Sequence, residues 1–252
     1  MWDGSQYNFM FWKKKNTITV DVYTDRTEMF EAYQPMLARK FIPDWWKNLP
    51  QYREEDAPGY QKMPQATFKG CPAINDILKT GIIFPSWCEL HAKVDMAGNK
   101  NIHIVPNHIQ VSQHDERDFT QHKPEMAHLK VTSPWAIVEK TGVKFMWMKP
   151  EWHQQKPLEY WTVPGIIDFK YQHSSLLNMF IPYNTKLQID VGTPWLQLIP
   201  LSEKPVEVKC HLISTAELDQ IMSANTFVSV AGGYLKKIRD IRKQQERLNE
   251  DY

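Results

Sequence analysis

The chain has 252 residues, 42% hydrophobic and 23% charged, enough to bury a core without disulfide or metal staples. Its 30 basic and 29 acidic side chains leave a formal net charge of +1, which argues against a dedicated nucleic-acid binder and leaves room only for a local basic patch. The three scattered cysteines, Cys71, Cys88 and Cys210, do not read as a disulfide framework and point to a reducing compartment.

The opening residues, Met1 to Lys15, lack a basic stretch followed by an apolar run, so no signal peptide is expected. No apolar run of about 18 residues occurs, so no spanning helix is expected either. A soluble cytoplasmic protein is expected, the cysteines pointing to the reducing compartment. In chain order, Thr17 to Tyr23 (TITVDVY) alternates as a strand does, and Thr27 to Arg39 suits a short helix. Phe41 to Pro50 reads as a loop packed on the core through Trp45 and Trp46. Tyr52 to Pro64 reads as an exposed connection. Pro72 to Thr80 suits a helix, with Pro72 at its first position and Gly81 at its stop.

A long strand is predicted from Ile82 to Asp95, with Cys88, Leu90, Ala92 and Val94 on one face and Glu89, His91, Lys93 and Asp95 on the other. Shorter strands follow at Ile102–Val105, Ile109–Gln113, Trp135–Val138, Val143–Met148, Leu187–Val191, Trp195–Ile199 and Val206–Leu212. Such a series joined by turns indicates a mainly β sandwich or barrel. At Ser214-Thr215-Ala216-Glu217 a capping box opens a helix, and a second, basic helix is predicted over Tyr234–Leu248. The expected organisation is an N-terminal extension packed on the core (1–68), a β domain (69–212) and a helical C-terminal segment (213–252).

Pro164-Gly165-Ile166-Ile167-Asp168-Phe169-Lys170-Tyr171 resembles the Gly-x-Ile-Asp-x-x-Tyr motif of the dUTPase and dCTP-deaminase superfamily. Gly192 to Ile199 resembles that superfamily's Gly-x-x-x-x-Gln strand, and Gly192 lies 24 residues after Asp168. Lys69-Gly70-Cys71-Pro72, Ile83 to Trp87, Ser133-Pro134-Trp135 and Gly192-Thr193-Pro194 also resemble an uncharacterised group of phage and bacterial proteins. The resemblance implies a dUTPase-like β-clip, or a jelly-roll-like barrel, with Asp168 activating a water, Tyr171 packing on sugar and base, and Gln197 supporting the site. Mg²⁺ would accompany a nucleotide.

The sequence departs from the superfamily where phosphates would be held. Pro150 to Gln155 offers Glu151 and neither Arg nor Ser, leaving Lys149 and Lys156 as the nearby cations. The leading expectation is therefore a non-enzymatic phage-type accessory or structural protein with no cofactor, in the host cytoplasm or the virion. Two alternatives stay open: a divergent nucleotide pyrophosphatase or deaminase using Asp168, and a metal-dependent β-barrel enzyme using histidines such as His103, His108 and His114. His108, Gln110, Ser112 and His114 share a strand face by alternation, and a solvated polar face accounts for them without a metal. The narrow apolar stripe of Leu235, Ile238 and Ile241 on the basic C-terminal helix suits docking on its own domain, on a second subunit or on an acidic protein partner. A homo-oligomer is expected, with a trimer as one candidate, and neither membrane nor nucleic acid is.

Overall fold

The structure, a computed structural model, describes residues 16–53, 65–106, 109–113, 115, 125–229 and 239. Alternation predicts the first element well. Strand β1 (Ile18–Thr24) buries Ile18, Val20, Val22 and Thr24 and leaves the residues between them half-buried. Helix α1 spans only Thr27–Ala32 rather than continuing to Arg39. Pro35 explains the early stop, because it cannot donate within a helix and disfavours helical backbone before it. Strand β2 (Met36–Leu37), helix α2 (Asp44–Asn48) and the hairpin of β3 (Tyr52–Arg53) with β4 (Gln65–Ala66) follow. Helix α3 covers Pro72–Lys79, with Pro72 in its first turn, close to the predicted span. Gly81 ends it at φ +85°, and a Cβ there would overlap the Leu198 carbonyl, so only glycine lets the chain turn so close to its neighbour.

The predicted strand from Ile82 to Asp95 is two strands, β5 (Ile82–Pro85) and β6 (Glu89–Val94). At Ser86 the backbone bonds across to residues 192 and 193 (Ser86 N to Thr193 O, 2.7 Å; Gly192 N to Ser86 O, 2.8 Å). The chain leaves one sheet there and enters another, which a continuous apolar run conceals. Strand β7 (Lys100–Val105) and the two-residue β8 (Val111–Ser112) precede the longest strand, β9 (Met126–Glu139). Only the last part of β9 was predicted, because Pro134 interrupts its sequence. Pro134 is tolerated where the ladder to its neighbour shifts register, between the Ala136–Ser174 and Thr132–Leu176 pairs.

The remaining strands are β10 (Lys144–Met148), β11 (Trp161–Thr162), β12 (Gly165–Asp168), β13 (Ser174–Pro182), β14 (Thr185–Ile189), β15 (Pro194–Pro200) and β16 (Val206–Leu212). Helix α4 (Thr215–Ser229) closes the described chain. The predicted capping box is formed, with the Glu217 carboxylate accepting from Ser214 N at 2.9 Å and Glu217 N donating to Ser214 Oγ at 3.3 Å. The basic helix predicted at 234–248 lies outside the described residues, except for Arg239.

The fold is mainly β. The main sheet runs β11-β13-β9-β1-β16 with β8 beside β9, and a second runs β12-β10-β15-β5-β2. A third is β14-β6-β7. None of these sheets closes on itself among the described residues. Strand β1, from the stretch expected to pack outside the β region, lies inside the main sheet, parallel to β16 and antiparallel to β9. One contiguous core draws on the three larger sheets, with Trp87, Trp135, Trp195, Phe84 and Phe145 among its largest side chains. Leu187, Ile189, Leu196 and Leu198 are buried as alternation predicts, whereas Val191 lies beyond the end of β14 and is exposed.

Candidate functional site

Strand β10 sets the geometry of the motif stretch, because it pairs with β12 on one side and β15 on the other. Asp168 stands opposite Lys144 at the start of β10, and Gln197 stands opposite Met148 at its end. Four residues and two strand spacings separate them, about 16 Å. The structure therefore brings Asp168 and Tyr171 together and leaves Gln197 apart from them.

Asp168 opens a tight turn. Its Oδ1 accepts from Lys170 N at 3.1 Å, and its main-chain oxygen accepts from Tyr171 N and Gln172 N at 3.1 and 3.0 Å. Lys170 lies over the Tyr171 ring at 5.6 Å. Gln197 is 1% exposed, and its Nε2 donates to Ile77 O and Thr80 O at 2.8 and 2.9 Å. It satisfies carbonyls at the C-terminal end of α3, which have no partner within the helix. Gln197→Ala is expected to cost about 1–3 kcal/mol, the penalty for leaving such groups buried and unbonded. Urea unfolding checks it, and an unchanged midpoint would put those carbonyls in contact with water.

The two expected phosphate cations part company. Lys149 is buried, donating to Leu158 O at 2.8 Å, pairing with Glu151 at 2.7 Å and lying 4.6 Å over the Tyr160 ring. Lys156 is exposed. A further carboxylate, which no sequence motif marks, lies near the Asp168 turn. Glu139 is fully buried, and it accepts from Thr141 N (2.8 Å), the Thr141 hydroxyl, Gly142 N (2.7 Å) and Val143 N (3.0 Å). Both its oxygens are taken by the turn between β9 and β10, and Glu139 N bonds to Phe169 O. Glu139 is thus not free to help Asp168 hold Mg²⁺, and no group of three His, Cys, Asp or Glu that could hold a metal occurs among the described residues.

Cys88, Cys210 and His153 are withdrawn from solvent to different degrees. Burial pushes the Cys88 thiol up to about 12 and the Cys210 thiol up to about 11, so neither supplies a thiolate near neutral pH. His153 is buried with its Nε2 3.1 Å from Leu78 O, and burial holds its pKa below the ordinary histidine value. His103 is exposed on β7 opposite His91, at 6.2 Å between rings. His108 and His114 lie outside the described residues.

The motif strand does line a groove. A hollow of about 420 Å³ opens where β12 faces β9 and β13, walled by Trp147, Pro164 and Ile166 and carrying Lys130, Gln172 and Asn178. A Cβ on Gly165 would stand 3.0 Å from Trp147 Nε1, so glycine permits the close approach of β12 to that indole. The Asn178 Oδ1 is buried and meets no donor among the described residues. A second hollow of about 310 Å³ lies between Trp45 and Trp152. Trp46 is buried as expected, but Trp45 is half-exposed, its Nε1 donating to Gln154 O at 2.8 Å.

Comparison with known proteins returned nothing: no family model, no curated protein and no solved structure matches the chain. No helix among the described residues is long and apolar enough to cross a membrane.

Proposed function

We propose that this chain is a non-enzymatic accessory or structural protein of phage type, built on a dUTPase-like β-clip framework. It acts as a homo-oligomer, in the host cytoplasm or the virion, and engages a protein partner through its basic C-terminal segment. The observation that carries the reading is the way reactive side chains are spent. Gln197 holds α3, Lys149 is tied to Leu158 and Glu151, Glu139 holds the β9–β10 turn, and Asp168 caps its own turn. Chemistry on a nucleotide needs a positioned base and, above all, groups that neutralise the phosphates. Of the expected cations, only Lys156 keeps its ammonium exposed. No pyrophosphate is expected from dUTP and no ammonia from dCTP with Mg²⁺ present, and turnover of either would refute the reading.

A second reading, a divergent nucleotide-handling protein using Asp168, draws on the groove. One indole wall, a lysine and two amides in about 420 Å³ suit a small planar anion. Asp168 does not line that groove, which leaves the second reading a binding site without its base.

A further inference from the structure

The central strand of the three-stranded sheet sends alternate residues to opposite sides. Leu90, Ala92 and Val94 enter the core, while Glu89, His91 and Lys93 face outward. The antiparallel registers then dictate what stands beside them. Lys186 of β14 lies opposite Lys93, which lies opposite Asn101 of β7. One row along, Gln188 lies opposite His91, which lies opposite His103. Six polar side chains form a grid of two rows on one face, of order 10 by 7 Å from strand spacing and rise. They line a hollow of about 400 Å³.

The two rows differ in charge balance. In the second, Glu89 bonds His91 at 2.5 Å, and Gln188 donates to Asp190 at 2.9 Å. In the first, Lys93 and Lys186 are exposed, directly opposed like charges, and neither makes an ion pair with any described residue. Asp95, the next outward residue of that strand, is occupied by Ala97 N, Asn99 N and Asn99 Nδ2, each at 2.8 Å. No carboxylate of a described residue lines the hollow. Directly opposed like charges destabilise a strand pair, and an anion placed between them turns that repulsion into attraction.

We propose that this face is an oxyanion site for a small phosphate-bearing molecule. Both lysine ammonium groups converge on one phosphate, and Asn101 and His103 serve a second phosphate or its ester. No Trp, Tyr or Phe side chain lines the hollow, whereas single-stranded nucleic acid is generally held by stacking on such rings as well as by charge.

Calorimetric titration with inorganic pyrophosphate tests the site on the full chain, using wild type, Lys93→Gln, Lys186→Gln and the double variant. Saturable one-to-one binding is expected, weakened about tenfold by each single change, the loss of one charge-assisted contact, and absent in the double variant. Without pyrophosphate, each variant should unfold at the wild-type temperature or above it, since a repulsion has been removed, so a folding defect cannot imitate lost binding. Two results would overturn the proposal: binding of equal strength in wild type and double variant, or tighter binding of a mixed-sequence single-stranded oligonucleotide than of pyrophosphate at matched ionic strength.

Discussion

Trp195→Ala is expected to lower the unfolding free energy by about 3–5 kcal/mol. Trp195 is fully buried on β15, a strand flanked by β10 and β5, and its ring lies 4.7 Å from that of Trp87. Trp87 in turn donates its Nε1 to Thr132 O of β9 at 2.9 Å. The indole pair therefore joins the five-stranded sheet to the main one, and truncation opens a cavity at that joint rather than at an edge. The indole N–H of Trp195 is itself buried and meets no acceptor among the described residues, so Trp195→Phe removes no hydrogen bond seen there and should retain most of the stability. Urea unfolding of the two variants separates these effects. Equal losses for Ala and Phe would mean that the indole nitrogen, and not the packed ring, carries the contribution.

The second large effect belongs to Glu139. Glu139→Ala is expected to cost about 3 kcal/mol or more, because three backbone N–H groups and one hydroxyl lose a charged acceptor at a buried position. Gly142, at φ +82°, belongs to the same turn, so the turn can relax only by disturbing the hairpin between β9 and β10. Glu139→Gln should cost nearly as much, since one end of the amide presents hydrogens to N–H donors. Hydrogen exchange at Gly142 and Val143, read alongside global unfolding, checks the assignment. Slow exchange retained at both amides in Glu139→Ala would show that the carboxylate does not hold the turn.

The elements legible in the sequence were those with one wet face or a local signal. β1 alternates, α3 carries Pro72 at its start and Gly81 after its end, and α4 opens on the Ser214–Glu217 box. β13 was missed because both its faces are covered. Leu177, Met179 and Ile181 enter the core while Phe180 is buried on the other side near His128, and the period of two disappears. The parallel pairing of β1 with β16 joins Thr19 to Glu207, 188 residues away, and no local pattern encodes that.

The site was legible to the same degree. That Asp168 caps its own turn could be read from neighbouring residues, since its side-chain bond and the turn bonds of its carbonyl fall within four positions. The commitments of Gln197 to α3, more than a hundred residues earlier, and of Lys149 to Leu158 depend on tertiary packing. The grid on β14-β6-β7 needed the strand registers, because Lys93 and Lys186 are far apart in the chain.

Under the proposed function, the polar residues of the motif stretch hold the framework and do no chemistry. Release of pyrophosphate from dUTP and of ammonia from dCTP, with Mg²⁺, by the native protein and by Asp168→Asn, tests it most directly. A positioned base alone contributes typically about 10²–10⁴-fold, so even a crippled enzyme would show a rate above background that falls when Asp168 is replaced. The expected result is background release by both proteins. Turnover by the native protein that Asp168→Asn abolishes would contradict the claim and make Asp168 a catalytic base.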